Sequence, residues 1–374
     1  MNRRILYTVI LSLGLVLFSN VAAEEAARPA LQYGFERIQV PAARAEEPLN
    51  VHLSVESAAK YLDDGATAWS GSRKCITCHT NGTYLTVRPM LNSHLGPANP
   101  KLRDFAVEQL RSKQSQAHDE LLKSTNPAQV VYIAAGLAEW DAQSTGTLSP
   151  ETNDALRLMF KLQLEQGNWG SLDCWPPLES DAFHLATVAM TAASIAPGWQ
   201  AGLRDEALRM QVDRLTIYLR ETPPPHDYAR VLLLGTAART KGLLDEAEQQ
   251  KLIQMISSHQ QADGGWSLRT FAKPEAWGRG NRAEKLRRES DFERPLSDGH
   301  MTGLALVVLR SAGVTHSDPR IKQGIAWLKA NQRQSGRWWT RSLNTDTHHF
   351  ITYSGTALPL LALAMCDEIP KQAR

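Results

Sequence analysis

The sequence predicts an all-α protein made of repeated helix pairs, and two observations support this prediction. The first is a motif, Gln-x-x-x-Gly-x-Trp, which occurs at residues 163–169, 260–266 and 332–338. The second is the position of each copy, which ends an apolar run of helical spacing and precedes a loop and a second apolar run. Recurrence of one such unit along a chain is the sequence signature of a repeat architecture.

Apolar runs of helical spacing predict six pairs of helices. The predicted pairs are 53–64 with 82–95, 101–123 with 128–140, 150–166 with 180–195, 203–220 with 227–241, 245–260 with 297–312, and 319–332 with 350–366. The first helix of each pair has charges on one face, whereas the second is apolar on all sides, as in the run 304–309. All-round hydrophobicity is typical of a buried helix, and amphipathicity of a surface helix. The sequence therefore predicts a closed (α/α)6 toroid with six inner and six outer helices.

The N-terminal 50 residues are predicted to lie outside the toroid, which we assign to residues 51–369. Arg3 and Arg4, the apolar run 5–18 and the small residues up to Ala23 predict a secretory signal peptide at residues 1–23. An uncleaved anchor is the alternative. Residues 24–50 are expected to form an extended leader. Export predicts a periplasmic or secreted protein, and no later apolar run is long enough to span a membrane.

The composition, with 43% hydrophobic and 21% charged residues among 374, is that of a globular protein. The formal net charge is +2, and removal of residues 1–23 takes away two arginines and no acidic residue, which leaves a net charge of 0. A neutral chain provides no electrostatic basis for binding nucleic acid. We therefore expect no nucleic-acid partner.

The repeated motif on paired helices resembles the group of squalene-hopene cyclases, terpenoid cyclases and protein prenyltransferases, over roughly residues 53–365. The resemblance implies an α/α toroid in which the Gln and Trp of each copy tie one helix end to the next. Trp169, Trp266 and Trp338 are therefore expected to be structural residues. The resemblance also implies, as one functional possibility, a cyclase-like or prenyltransferase-like enzyme.

The catalytic signatures that the resemblance implies are not reproduced in this chain. Class II cyclases of the group use an Asp-x-Asp-Asp acid. The only acidic pair of that kind in this chain is Asp63-Asp64, at the predicted end of an outer helix. Prenyltransferases of the group hold zinc with an Asp-x-Cys pair and a distant His. Here Asp173 and Cys174 are adjacent, with His300 as the third candidate ligand, and adjacent residues are poorly placed to bind one ion.

A loop at residues 70–82 contains Cys75-Ile76-Thr77-Cys78-His79, which is the attachment signature of a c-type haem. Two thiols at this spacing can bond to the two vinyl groups, and the next residue then supplies the proximal iron ligand. The pattern predicts a covalent haem c held by Cys75 and Cys78, with His79 as the metal ligand. The alternatives are a disulfide between the two cysteines, with His79 capping the next helix, or another metal role.

Each predicted inner helix begins with a Tyr or His, and parallel helices would bring these rings to one end of the cavity. The six residues are Tyr84, Tyr132, His184, Tyr228, His300 and Tyr353. The alternative is that they are wall residues whose polar tips bond within the bundle.

Four members of this set are candidate catalytic residues: His300, His184, Tyr84 and Tyr353. The two histidines are also candidates for a distal haem ligand, with His300 as a possible metal ligand. Asp181 and Asp298 are expected to cap their helices or to orient these imidazoles, and His348 and His349 are weaker candidates.

The charged insertion at residues 268–296 interleaves basic and acidic side chains, which is typical of a solvated helix or loop. Because it follows the motif copy at 260–266, we expect it to lie over the same end of the cavity. A lid or a docking surface for a redox partner is the functional interpretation.

Three classes of function therefore compete. The preferred one is an exported c-type haem protein on a toroid, which transfers electrons or performs redox chemistry on a small apolar ligand, with a redox partner protein. The second is a cyclase-like or prenyltransferase-like enzyme, or a ligand-binding toroid, in which Cys75 and Cys78 form a structural disulfide. The third is an interaction scaffold that uses the outer helices and the insertion.

Overall fold

The computed structural model describes residues 30–173 and 175–372 and has the predicted all-α architecture. Within these residues, twelve helices form six pairs, which we label α1 (Val55–Arg73), α2 (Asn81–Val87), α3 (Pro100–Gln114), α4 (Asn126–Trp140), α5 (Pro150–Lys161), α6 (Ala182–Ile195), α7 (Glu206–Glu221), α8 (Asp227–Ala237), α9 (Glu246–Ser258), α10 (Gly299–Ser311), α11 (Pro319–Asn331) and α12 (Ile351–Met365). The predicted signal peptide and Cys174 lie outside the described residues.

The six even-numbered helices form a closed inner ring. Each packs against the next one, in the order α2, α4, α6, α8, α10 and α12, and α12 packs against α2. The odd-numbered helices pack outside the ring. Helices α1, α3, α5 and α11 contact the inner helix that follows them in the chain, whereas α7 and α9 contact the inner helix that precedes them. Because outer and inner helices alternate in direction, all six inner helices point the same way. The (α/α)6 toroid predicted from the sequence is confirmed.

The glutamine of each motif copy joins two successive outer helices, an arrangement that we call the clasp. Its side-chain amide donates to the glycine carbonyl of its own motif and to a carbonyl near or within the next outer helix, at distances of 2.8–3.1 Å. Gln163 thereby reaches Gln211 of α7, and Gln260 reaches Arg320 of α11. Gln332 bonds to both the carbonyl and the amide of Ser54, which precedes α1. The third clasp therefore closes the ring between the last and first outer helices.

The tryptophan and glycine of each motif copy complete the clasp. Each indole nitrogen donates to a carbonyl ten residues upstream, in its own outer helix, at 2.7–2.8 Å. All three indoles are fully buried, so the structural role expected for them is confirmed. Each glycine has a φ between 83° and 95°, and a Cβ there would come within 2.8 Å of the backbone of the neighbouring outer helix. Only glycine meets both conditions without strain.

Three predicted helices differ from the structure in their extent. Helix α1 continues past 64 to Arg73, because small residues along its second half pack against the leader and the inner ring. The helix predicted at 82–95 is broken at Pro89, whose ring is incompatible with a helix interior. It becomes α2, a 3₁₀ turn at Arg88–Leu91 and a short helix at Asn92–Leu95. The helix predicted at 101–123 is similarly split into α3 and His118–Leu121.

The leader, predicted as extended, forms a two-stranded antiparallel hairpin in its described part. Strand β1 (Leu31–Phe35) pairs with β2 (Ile38–Pro41), and the turn between them places Glu36 at a φ of 49°. Both strands pack on α1, and Tyr33 of β1 contacts the rings of Tyr61 and Tyr353. The hairpin therefore covers the outer surface where α1 meets α12.

Further short elements occupy the connections. They are a π-helical turn at Asp141–Thr145, a helix at Trp199–Gly202, 3₁₀ turns at Leu268–Thr270 and Pro274–Gly280, and a helix at Ala283–Arg287. Among the described residues, none of the helices combines the length and apolar character needed to cross a bilayer.

We predict that Gln332→Leu lowers the free energy of unfolding by about 3 kcal/mol, because it removes four side-chain hydrogen bonds and leaves backbone groups of Ser54 and Gly336 without these partners. Urea unfolding followed by circular dichroism measures the change. The matched control is Gln334→Leu, the same change at an exposed glutamine two residues away, which is expected to alter the value by less than about 0.5 kcal/mol. Equal effects of the two variants would contradict the role of the clasp.

Candidate functional site

The inner ring encloses a cavity of about 230 Å³, which we call the central cavity. Its walls are largely apolar and include Val87, Ala135, Val188, Leu232, Leu304 and Leu358. Polar side chains are concentrated at the two ends. Tyr132 and Glu139 mark these ends on α4, and a helix rises about 1.5 Å per residue, so the polar ends lie about 10 Å apart along the axis.

Two tyrosine–histidine pairs form the end of the cavity at the N-termini of the inner helices, which we call the His–Tyr end. The hydroxyl of Tyr132 is 3.2 Å from Nε2 of His184, and the hydroxyl of Tyr228 is 3.0 Å from Nε2 of His300. The two pairs are neighbours, since the rings of His184 and Tyr228 are 6.3 Å apart. Four consecutive inner helices, α4 to α10, thus contribute one polar ring each.

The hydrogen-bond partners of the two histidines define their tautomers. Nδ1 of His184 is 3.0 Å from the carbonyl oxygen of Pro177, which can only accept, so Nδ1 bears the proton. Nδ1 of His300 is 2.9 Å from Ser354 Oγ, and this hydroxyl donates its own proton to the carbonyl of Ile351. In both imidazoles, Nε2 is therefore the unprotonated nitrogen and accepts the tyrosine proton.

Burial keeps both imidazoles neutral. It lowers the pKa of His184 to about 4 and the pKa of His300 to about 3, because a charged imidazolium would lose its hydration. Burial also raises the pKa of Tyr132 and Tyr228 well above 10. At neutral pH the His–Tyr end therefore has no charged side chain among these four.

A buried ion pair lies at the opposite end of the cavity. The guanidinium of Arg239 donates two hydrogen bonds, of 2.8 and 2.9 Å, to the carboxylate of Glu139, which also accepts from Gln143. The side chain of Glu139 is 2% exposed and that of Arg239 is 26% exposed. The cavity therefore approaches solvent beside Arg239.

The predicted ring of six aromatic residues is only partly correct. Tyr84 and Tyr353 do not face the central cavity, because their hydroxyls bond outward to the outer helix α1. Tyr84 donates to Asp63 at 2.7 Å, and Tyr353 donates to the carbonyl of Leu62 at 2.6 Å. On α12, the next residue, Ser354, takes the place at the cavity by bonding to His300.

Asp181 and Asp298 are helix caps, as predicted. Each carboxylate accepts a backbone N–H in the first turn of its helix, from His184 at 2.7 Å and from Met301 at 2.9 Å. Asp181 also lies 3.2 Å from Nε2 of His226, which caps α8 through Nδ1. The carboxylates orient the helices on which the histidines lie and do not contact the imidazoles of His184 and His300.

The remaining predicted histidines lie elsewhere. His349 accepts from the backbone of Ser342 at 3.0 Å and packs against Trp339, and burial lowers its pKa to about 4. His348 stacks on Phe350. Both belong to the loop before α12 and do not line the central cavity.

The predicted loop at residues 70–82, which we call the motif loop, borders a second cavity of about 210 Å³. We call this second cavity the motif cavity. Cys75, Cys78, His79 and Tyr132 line it, together with Trp69 and Trp175. Tyr132 therefore separates the motif cavity from the central cavity. Asn81 braces the loop by accepting from Thr77 N and donating to the carbonyl of Cys75, both at 2.9 Å.

His79 is held among aromatic rings. It stacks on Phe350 at 4.9 Å and meets the edge of Trp69 at 4.8 Å, and burial lowers its pKa to about 3. Its Nδ1 bonds to Thr80 Oγ1 at 2.8 Å, which leaves Nε2 as the ring atom suited to a metal. The thiol of Cys75 is free in this structure, so the alternative disulfide with Cys78 is not formed.

These residues fit the chemistry of haem attachment, because two cysteines and a neutral imidazole line one cavity. The cavity is smaller than the roughly 300–1,000 Å³ of most small-molecule sites. A macrocycle held here would therefore extend beyond the cavity or displace part of its lining.

The charged insertion lies over the His–Tyr end, as predicted, but it is not fully solvated. Its Trp277 is 1% exposed and packs against His226 and Tyr228, with ring centroids 5.0 and 5.7 Å away. Arg279 forms an ion pair with Asp173, which ties the insertion to the loop before α6. The insertion therefore covers this end of the toroid.

Within the described residues, the acid signature of the class II cyclases is not assembled. Asp63 bonds to Tyr84 and Asp64 pairs with Lys60, so both acids lie outside the central cavity. In residues 30–173 and 175–372, no three His, Cys, Asp or Glu side chains are grouped as a metal site would require.

Comparison with known proteins supports the toroid. Residues 228–368 match the family model described as squalene-hopene cyclase C-terminal domain. The C-terminal part of the chain is similar to that domain. The match extends from the start of α8 past the end of α12 and includes two motif copies. It agrees with the resemblance inferred from the repeats and supports a terpenoid-cyclase-like toroid.

Two solved structures of the type II terpene cyclase MstE from Scytonema are also similar to this chain. One is a variant in complex with geranylgeranyl dihydroxybenzoate, at 12% identity and a TM-score of 0.45, covering 84% of this chain and 98% of that chain. The other is the apo enzyme, at 12% identity and a TM-score of 0.44, covering 83% and 99%. No curated protein sequence matches the chain.

Sequence reasoning missed Glu139, Arg239 and Trp277. Glu139 interrupts an otherwise apolar inner helix, and a lone acid there requires a buried partner. That signal predicts an ion pair, although the partner lies 100 residues away. Trp277 is a large aromatic residue within a charged segment, which indicates an anchor against the core.

We predict that protonation of the buried histidines destabilises the protein in acid. The folded pKa of His300 is about 3, below the usual 6.5, so the unfolded chain binds more protons between pH 6.5 and 3. Stability is therefore lost as the pH falls through this window. Between pH 7 and 5, His300→Gln should lose about 2 kcal/mol less than the wild type in urea unfolding. The exposed His52 provides the control His52→Gln, and an identical pH dependence in all three proteins would contradict the assignment.

Proposed function

We propose that the protein is a ligand-binding toroid, which holds a small and largely apolar molecule in the central cavity. The observation that supports this proposal is the combination of apolar walls with one carboxylate, Glu139, whose two oxygens are both bonded by Arg239. The proposal assigns binding to the cavity in place of acid-initiated cyclisation.

The size and polarity of the cavity favour such a ligand. At about 230 Å³ the cavity is slightly below the usual range for small-molecule sites, which suits a compact molecule. The histidines at the His–Tyr end are neutral, and the two charges at the other end neutralise each other. Burial of apolar surface is therefore the main driving force for binding.

None of the described side chains that line the central cavity is suited to protonate a hydrocarbon. The Nδ1 protons of His184 and His300 are donated to Pro177 and Ser354. Glu139 is engaged as an acceptor by Arg239 and Gln143. A general acid needs a proton directed at the substrate, and none of these groups has one available.

Ligand entry is expected beside Arg239. Trp277 covers the opposite end, whereas the Arg239 side chain is partly exposed next to the cavity. Arg239 and Glu139 would then form the rim of the entrance.

We predict that small apolar molecules stabilise the wild-type protein by binding in the central cavity. A suitable panel is benzene, toluene, cyclohexanol and camphor, measured by the shift in Tm. At least one compound should raise Tm by about 2 °C or more at concentrations well above its Kd. Val188→Trp, which fills the cavity from α6, should abolish the shift.

The control is Ile217→Trp, the same type of enlargement on the exposed face of α7, which should retain the shift. Absence of binding by every compound, or equal shifts in Val188→Trp and the wild type, would contradict the proposal.

A second proposal is that the motif loop holds a covalent haem c. It is supported by the placement of Cys75, Cys78 and His79 around one cavity and by the neutral state of His79. The two cysteines would hold the haem, His79 would supply Nε2 to the iron, and Asn81 would keep the loop in place. When bound, the group would supply one-electron redox chemistry.

This second proposal includes the location and partner expected from the sequence. Haem attachment of this type occurs outside the cytoplasm, in agreement with a periplasmic or secreted protein. A redox partner protein would exchange electrons at the motif loop. The insertion, tied to the neighbouring loop by Arg279, would offer part of the docking surface.

We predict that the full-length protein, expressed in a host that matures c-type cytochromes, stains for covalent haem on a denaturing gel. Cys75→Ser and Cys78→Ser should each abolish the two-bond attachment while the helical circular dichroism is retained. Cys366→Ser, at a buried cysteine after α12, is the matched control and should keep the haem. A wild-type protein without haem in this host would contradict the proposal.

A further inference from the structure

We infer that the ligand of the central cavity has a hydroxyl group, whose proton is accepted by the phenol oxygen of Tyr132. This inference rests on the proposed function and specifies the class of ligand. Its basis is the direction of every hydrogen bond at the His–Tyr end.

The aromatic side chains at this end have no donor to spare. Tyr132 and Tyr228 donate their protons to Nε2 of His184 and His300. The two Nδ1 protons are donated to Pro177 and to Ser354, and the Ser354 proton is donated to Ile351. Each proton is thus already used inside the protein.

The threonine hydroxyls of the cavity wall also donate their protons within the protein. Five of them donate to backbone carbonyl oxygens at 2.6–3.2 Å: Thr83, Thr86, Thr187, Thr191 and Thr236. Their protons are therefore also directed into the helices. What these side chains present to the cavity is oxygen lone pairs.

Tyr132 is the acceptor best placed for a ligand. It is 5% exposed, whereas Tyr228 is fully buried beneath Trp277. A phenol oxygen that donates its proton retains a lone pair and can accept one further hydrogen bond. A ligand hydroxyl would then extend a chain from the ligand through Tyr132 to His184, and successive hydrogen bonds of this kind strengthen one another.

A carbonyl group cannot use this site without loss. To donate to a ligand carbonyl, Tyr132 would have to release His184, which would leave the buried Nε2 without a partner. An unpaired buried acceptor is unfavourable. The His–Tyr end therefore distinguishes an alcohol from the ketone of the same skeleton.

The test compares borneol with camphor, which share one compact skeleton and differ as alcohol and ketone. Isothermal titration of the full-length wild-type protein should give a Kd for borneol about tenfold lower than for camphor. Val188→Trp should bind neither, which locates the binding in the central cavity.

His184→Phe is the decisive variant, because it removes the acceptor and frees the Tyr132 proton for the ligand. Its preference for borneol should fall from about tenfold to about onefold or reverse. His52→Phe, the same change at an exposed histidine away from the cavity, serves as the matched control and should retain the preference. Circular dichroism and Tm establish that each variant is folded.

The outcomes separate the two proposals. Binding of both compounds with equal affinity, or tighter binding of camphor, would overturn the hydroxyl inference and leave the binding function in place. Binding of neither compound, together with no response to the wider panel, would overturn the proposed function itself. If His184→Phe does not fold, the comparison of borneol with camphor on the wild type still decides the inference.

Discussion

Closure of the ring by the Gln332 clasp is the constraint on which the rest of the structure depends. This side chain joins α11 to the start of α1 across 278 residues of chain. Two further clasps at Gln163 and Gln260 use the same side-chain amide donor and backbone carbonyl acceptors. Because each inner helix packs between two others, the central cavity exists only when the circle is complete. The sequence repeats this motif at three of the junctions between successive outer helices.

The fold could be predicted because its cause is local and repeated. A glutamine, a glycine and a tryptophan at fixed spacing, with alternating amphipathic and apolar helices, are enough to indicate a toroid. The leader hairpin could not be predicted in this way, because its strands are stabilised by contacts of Tyr33 with Tyr61 and Tyr353, which are remote in sequence. The extension of α1 also depends on a remote contact, that of Trp69 with Tyr33 of the hairpin.

The site was predictable in its location and less so in its composition. The aromatic residue at each inner helix start indicated one end of the cavity, and His184 and His300 do lie there. Whether a tyrosine turns inward depends on its position around the helix, and Tyr84 and Tyr353 instead bond to α1. The ion pair of Glu139 with Arg239 joins two helices that are separated by a whole repeat, so no local pattern specifies it.

The account centres on a cavity whose His–Tyr end accepts hydrogen bonds and offers none. The most direct test is the protonation state of the two histidines, measured by NMR on the full-length protein labelled with ¹⁵N-histidine, with assignments from His184→Phe and His300→Phe. We expect both imidazoles to be neutral at pH 7 and protonated on Nδ1. Protonation on Nε2, or a charged imidazolium at either residue, would contradict the account, because the tyrosine protons would then be free to face the cavity.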